Sequence, residues 1–146
     1  MANKNLPIIM YPICFIMGFL LPDIANAGGA PIETVQHKFD AFNRHDADAI
    51  EGAYAVDATL HSPDDPNLSG NKPIADTYRK LFAAIPDAKD NITLIESVGP
   101  HVYVQFSLTG HWGGAEDKPI VARLMSVYTV KNGHIAEDDT YYDRKI

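Results

Sequence analysis

Apolar residues recur at two different spacings along this chain, and the change between them divides it. Between Ile32 and Asn43, Val35, Phe39 and Phe42 stand at i, i+4 and i+7, the spacing of one helix face. Asp46 suits the N-cap of a short second helix carrying Ile50, Ala53 and Tyr54. "ATLHSP" reads as a short strand stopped by Pro63, and "DDPNLSGNK" has the composition of a loop. A third helix starts near Pro73, since a proline is tolerated in a first turn. Ile74, Tyr78, Leu81, Phe82 and Ile85 form its apolar stripe, and Pro86 ends it.

After Pro86 the period becomes two. Asn91 to Ser97 reads as a strand and Gly99-Pro100 as a turn; Val102, Val104, Phe106 and Leu108 then alternate with Tyr103, Gln105, Ser107 and Thr109. "WGGAEDKP" turns the chain into a strand from Pro119 to Val130. Asn132-Gly133 marks a tight hairpin before the last strand, Ile135 to about Asp143. Helices first and antiparallel strands afterwards predict an α+β fold, three helices packed on one face of a curved, mainly antiparallel sheet. Such a roll encloses a conical cavity, a usual place for a small ligand. In the last strand Asp138 and Asp139 are adjacent, so one faces the interior of the roll and the other faces away.

The first residues change the domain boundaries. Lys4, an apolar run from Leu6 to Leu21 and Ala25-Asn26-Ala27 have the order of a secretory signal peptide, with cleavage expected after Ala27. The run carries Pro7 and Pro12 and is short for a membrane span. The expectation is a signal peptide at 1–27, a single domain at 28–146, and a secreted or periplasmic location without membrane attachment. The single cysteine, Cys14, lies in the leader, so the mature chain has no disulfide and no thiol nucleophile. The formal charge of −7, with no basic run, argues against nucleic acid as a partner. The histidines lack metal-ligand spacing and Asp64-Asp65 runs into Pro66, so neither a metal nor a cofactor is expected.

"AFNRHDADAIEGAYAVDATLHSP", "SGNKPIADTYRKLFAAIPD" and "VKNGHIAEDDTYYD" together resemble the SnoaL-like branch of the nuclear-transport-factor-two-like superfamily, from about Ile32 to Asp143. The resemblance implies a conical α+β barrel, a cystatin-like roll. The family includes polyketide cyclases, ketosteroid isomerases, dehydratases and non-catalytic binding domains, so the resemblance fixes a fold more closely than a reaction. At the ketosteroid isomerase positions this chain has Ser62 for the base and Lys38 and Ser126 for the oxyanion-binding tyrosine and aspartate. A serine without an activating base cannot remove a C–H proton at neutral pH, which argues against that isomerisation. At the cyclase acid/base position stands Thr140, and two residues earlier Asp138 replaces a histidine.

The resemblance turns Asp138, Thr140 and Tyr142 toward the cavity, with Leu60, Ser62, Leu124 and Ser126 beside them and Val104, Phe106 and Leu108 on the wall. It leaves Asp138 two roles. One is a general base raised by desolvation, with Tyr142 and Ser126 binding the developing oxyanion. The other is a carboxylate held by Ser126, Thr140 or water that only orders the pocket. His61, Glu137 and Asp139 should face outward, with Asp139 solvated or paired to Arg123 or another cation. His111 and Trp112 stand where a strand leaves the sheet, as a rim over the ligand or as packing. The implied function is binding of a small, mostly apolar or carbonyl-containing molecule. Cofactor-independent cyclase, isomerase or lyase chemistry would accompany it; the alternative is a non-catalytic ligand-binding or interaction domain. The family's habit also implies a homodimer through the outer sheet face, here Arg123, Met125, Val127 and Thr129.

Overall fold

The computed structural model describes residues 29–142, so the expected leader lies outside the described residues. Helix α1 (Gly29–Asn43) buries Val35, Phe39 and Phe42, as their spacing predicts. Lys38 falls on the same buried face. The chain leaves α1 through His45, whose φ of 56° permits the sharp turn. Asp46 then caps α2 (Ala47–Ala53), its carboxylate accepting from the Ala49 N–H at 2.9 Å. Tyr54 does not extend that helix. It opens β1 (Tyr54–His61), which is longer than "ATLHSP" suggested.

The stretch expected to be wholly loop contains a two-residue strand, β2 (Leu68–Ser69), paired antiparallel with Thr59 and Leu60. α3 (Asn71–Ala84) buries Ile74 and Ala75 and ends just before Ile85. The remaining strands form the expected meander: β3 (Lys89–Val98), β4 (His101–His111), β5 (Pro119–Lys131) and β6 (His134–Tyr142). A short 3-10 turn, Trp112–Gly114, joins β4 to the loop before β5. Asn132 and Gly133 both have positive φ, 51° and 74°, the signature of the tight hairpin turn that their sequence predicts.

The strands form a mixed sheet in the order β2-β1-β6-β5-β4-β3. All neighbours are antiparallel except β1 and β6, which run parallel. That placement brings Leu60 opposite Asp138 and His61 opposite Asp139. The helices cover the inner face, where Phe39 meets Phe106 edge to face with ring centroids 4.9 Å apart. Tyr128, Ile135, Val102 and Val104 complete the same core. Val104, expected on the cavity wall, is fully buried in this core instead. Its β4 position lies one pleat deeper than Phe106, which takes the wall.

Candidate functional site

Between α1, α3 and the inner sheet face lies a cavity of about 210 Å³. Leu60, Phe106, Leu108 and Leu124 line it from the sheet, and Phe42 and Leu81 from the helices. Its polar groups come from separate elements: Lys38 from α1, Tyr78 from α3, Asp90 from β3 and Thr140 from β6. Ser62, Asp64, Asp65 and Tyr142 also line it, where β1 and β6 end.

Asp138 points inward and is completely buried. It does not line the cavity, because Thr140 stands between. Thr140 Oγ1 donates to one carboxylate oxygen at 2.7 Å, and Tyr54 Oη donates to the other at 2.5 Å. These two bonds dictate the remaining donors. Ser126 must give its proton to Thr140, 2.5 Å away, and Tyr78 must give its proton to Tyr54, 3.3 Å away. Lys38 Nζ donates to Tyr128 Oη at 3.4 Å, and Tyr128 bonds with Ser126 in turn. The result is a continuous polar floor whose cavity-facing members are Lys38, Tyr78 and Thr140. Ser126, expected at the ligand, is fully buried within this floor and reaches the cavity only through Thr140.

Burial raises the Asp138 carboxyl above the ordinary aspartate range, while Lys38, Tyr54 and Thr140 oppose the shift. Burial also works against the Lys38 ammonium. The phenol oxygens of Tyr128 and Tyr78 and the carboxylates of Asp90 and Asp138 outweigh it, and the lysine stays charged. Its Nζ lies 4.4 Å from the Phe39 ring centroid and 4.9 Å from that of Tyr78, so aromatic faces replace part of its water shell.

Asp90 is built differently. The Asn43 side chain clamps its backbone, donating to the Asp90 carbonyl at 2.9 Å and accepting the Asp90 N–H at 2.9 Å. The residue is only 6% exposed, and it borders the cavity. Among the described residues, no group donates a hydrogen bond to its carboxylate. Burial pushes that carboxyl up to about 6, against the pull of Lys38.

Asp90 escaped the sequence reading because the strand was expected to begin at Asn91, which left Asp90 in a loop. Its signal was the period of two carried back from Ile92, which pairs Asp90 with Leu108 on the cavity side. Lys38 also had a signal: a charge inside the apolar stripe of α1.

Near Ser62, Tyr142 Oη donates to Asp64 at 2.5 Å, and burial followed by that carboxylate pushes the phenol up to about 12. Trp112 does not touch the inner cavity. It lines a neighbouring groove of about 580 Å³ with Ile85 and Ile120. Leu81, Leu108, Leu124 and Tyr142 border both spaces. His111 is tied down by Asp87, which accepts from its backbone N–H at 2.8 Å and contacts its ring Nδ1 at 2.6 Å. On the outer face His61 Nδ1 lies 2.7 Å from Asp139, so the side-chain partner of Asp139 is His61 rather than Arg123. Glu137 accepts from Thr129, and this bond leaves Thr129 buried instead of open on the outer face.

The comparisons with known proteins agree with this architecture. The SnoaL-like domain family matches residues 35–138, and the chain belongs to that family. Among solved structures, a candidate SnoaL-like polyketide cyclase from Jannaschia sp. CCS1 superposes with a TM-score of 0.71 at 17% identity, covering 80% of this chain and 88% of that one. A protein of ketosteroid isomerase-like fold from Catenulispora acidiphila, in complex with trimethylamine, gives 0.70 at 22% identity, covering 77% and 86%. An LEH-like epoxide hydrolase from M. tuberculosis gives 0.70 at 18% identity, covering 80% and 84%. No curated protein matches the chain.

Proposed function

We propose that this protein binds a small, mostly apolar molecule with one carbonyl group in its conical cavity and carries out cofactor-free acid/base chemistry on it. One observation carries the reading: a largely apolar cavity has a buried ammonium, a phenol and a carboxyl at its polar patches. An apolar wall excludes water and strengthens each of these groups. The epoxide hydrolase and the candidate polyketide cyclase of similar fold lend only a reaction class to this reading. Asp138 enters by orienting Thr140 and Tyr54 and by sharing with Asp90 the countercharge of Lys38, since both of its oxygens are already engaged.

Cyclohexanone, watched by saturation-transfer NMR, tests the cavity. It is expected to bind the wild type and to lose binding in Leu124→Trp, which fills the space. Equal binding by both would place the ligand elsewhere. A non-catalytic binding domain is the second reading, favoured by Ser62 and Thr140 at the positions where relatives hold their acid or base. The proposal includes removal of residues 1–27 on export, which the mass of the mature chain tests. It also includes a homodimer through the outer face, where Val121 and Tyr141 are exposed around Arg123 and Met125. Met125→Asp should then shift a dimer to monomer in sedimentation.

A further inference from the structure

We infer that Asp90 is the catalytic base of this cavity and that Lys38 holds the substrate's carbonyl oxygen, the substrate being a small carbonyl compound with acidic α-hydrogens. The inference rests on the proposed carbonyl-binding reading and adds the reacting groups.

The argument begins with what each buried carboxyl is free to do. A base must reach the hydrogen it removes, at hydrogen-bonding distance in the complex. Asp138 accepts one bond at each oxygen and is screened from the cavity by Thr140. Asp90 borders the cavity and receives no hydrogen bond from any described group. Buried polar atoms normally have partners, and one left open toward a cavity is suited to a ligand. The Asn43 clamp on both backbone atoms fixes where the carboxyl sits without occupying it. Precise placement with free reacting atoms is what proton transfer requires.

The proton-affinity argument agrees with the placement. With its carboxyl lifted to about 6, Asp90 is mostly ionised at pH 7 and a stronger base than a solvated aspartate. Lys38 supplies the opposite charge within the same cavity. It lies against the Phe39 and Tyr78 rings and is held in place by Tyr128.

The step balances without a co-reactant. An Asp90 oxygen takes the α-hydrogen as a proton; the C–H bond breaks and an O–H bond forms. The freed electron pair becomes the C=C bond of an enolate, and the carbonyl π pair moves onto oxygen beside the Lys38 ammonium. The Asp90 carboxyl then exchanges its proton with solvent, and return of a solvent-derived proton from Asp90 to carbon restores the carboxylate and the ketone, at the same carbon or at the far end of a conjugated system.

The test is exchange of the α-hydrogens of cyclohexanone in deuterated water, followed by proton NMR with the full chain. The wild type should bind the ketone and speed exchange above buffer. Asp90→Asn should bind it about as well and lose the acceleration by about 100-fold or more. Lys38→Met should weaken binding and rate together, and His61→Ala, on the outer face, should leave both unchanged.

The wild-type rate should rise with a midpoint near 6 and then level off. The charged or titratable groups facing Asp90 across the cavity are Lys38 on α1, Tyr78 on α3, Asp64 and Asp65 after β1, and Tyr142 on β6. A merely structural Asp90 would not impose that profile. Exchange by Asp90→Asn at the wild-type rate overturns the inference, as does wild-type binding without exchange. Cyclohexanone that fails to bind the wild type overturns the carbonyl-pocket reading itself, and the inference with it.

Discussion

Asp138 and Asp90 are both buried beside Lys38, yet they sit in opposite kinds of surroundings. Asp138 belongs to a closed floor in which every oxygen has a donor and the chain of hydroxyls leads back to the lysine. Asp90 is clamped through its backbone and left open at its carboxyl. The contrast teaches that burial of a carboxyl alone does not mark a base. What separates structure from chemistry is whether the carboxylate's lone pairs are already occupied.

The largest effect expected from breaking this contrast is at the closed site. Asp138→Ala removes one of the two carboxylates beside Lys38 and leaves the Tyr54 and Thr140 hydroxyls buried without their acceptor, and should destabilise the fold by about 3–5 kcal/mol in urea unfolding. The open site should respond in the other direction. Asp90 holds its proton more tightly in the folded protein, at about 6 against an ordinary 3.8. Stability therefore falls as pH rises from about 4 to about 6, and the native state above that carries a cost of about 3 kcal/mol. Asp90→Asn removes this cost and should unfold later than the wild type at pH 8, with the gain vanishing below pH 4. Loss of stability at pH 8 would mean that the carboxylate is held by partners after all.

Smaller effects sharpen the comparison. Lys38→Met removes the charge that lowers both carboxyls, so the Asp90 titration should move upward. Its stability loss should be about 1–3 kcal/mol, because Tyr128 loses a donor and Asp138 a countercharge. Tyr142→Phe breaks the bond to Asp64 and should cost at most about 1 kcal/mol while speeding release of a bound ketone in stopped flow. His61→Ala breaks an exposed pair on the outer face and should stay within about 1 kcal/mol.

Much of the fold was legible from period alone. The stripe of α3, the alternation of β4 and the Asn132-Gly133 turn each specify one local conformation, and the structure follows all three. Tyr54 was misplaced because an aromatic that follows helical spacing can equally begin a strand. β2 was missed because two residues give no period to read.

That Asp138 and Asp139 take opposite faces was legible from alternation, and the family resemblance chose Asp138 as the inward one. Its screening by Thr140 was not, because depth along a strand depends on the helices packed above it. The same limit placed Val104 on the wall and Ser126 at the ligand. Asp90 required the starting residue of β3, and a strand end is the part of an element that pattern defines least.

Carboxyl-carbon NMR across pH 3 to 9, with and without cyclohexanone, tests the central claim most directly. The account predicts that Asp90 titrates near 6 and that its resonance moves when the ketone binds, while Asp138 shifts little. An Asp90 that titrates in the ordinary aspartate range and ignores the ketone, with Asp138 responding in its place, would contradict it.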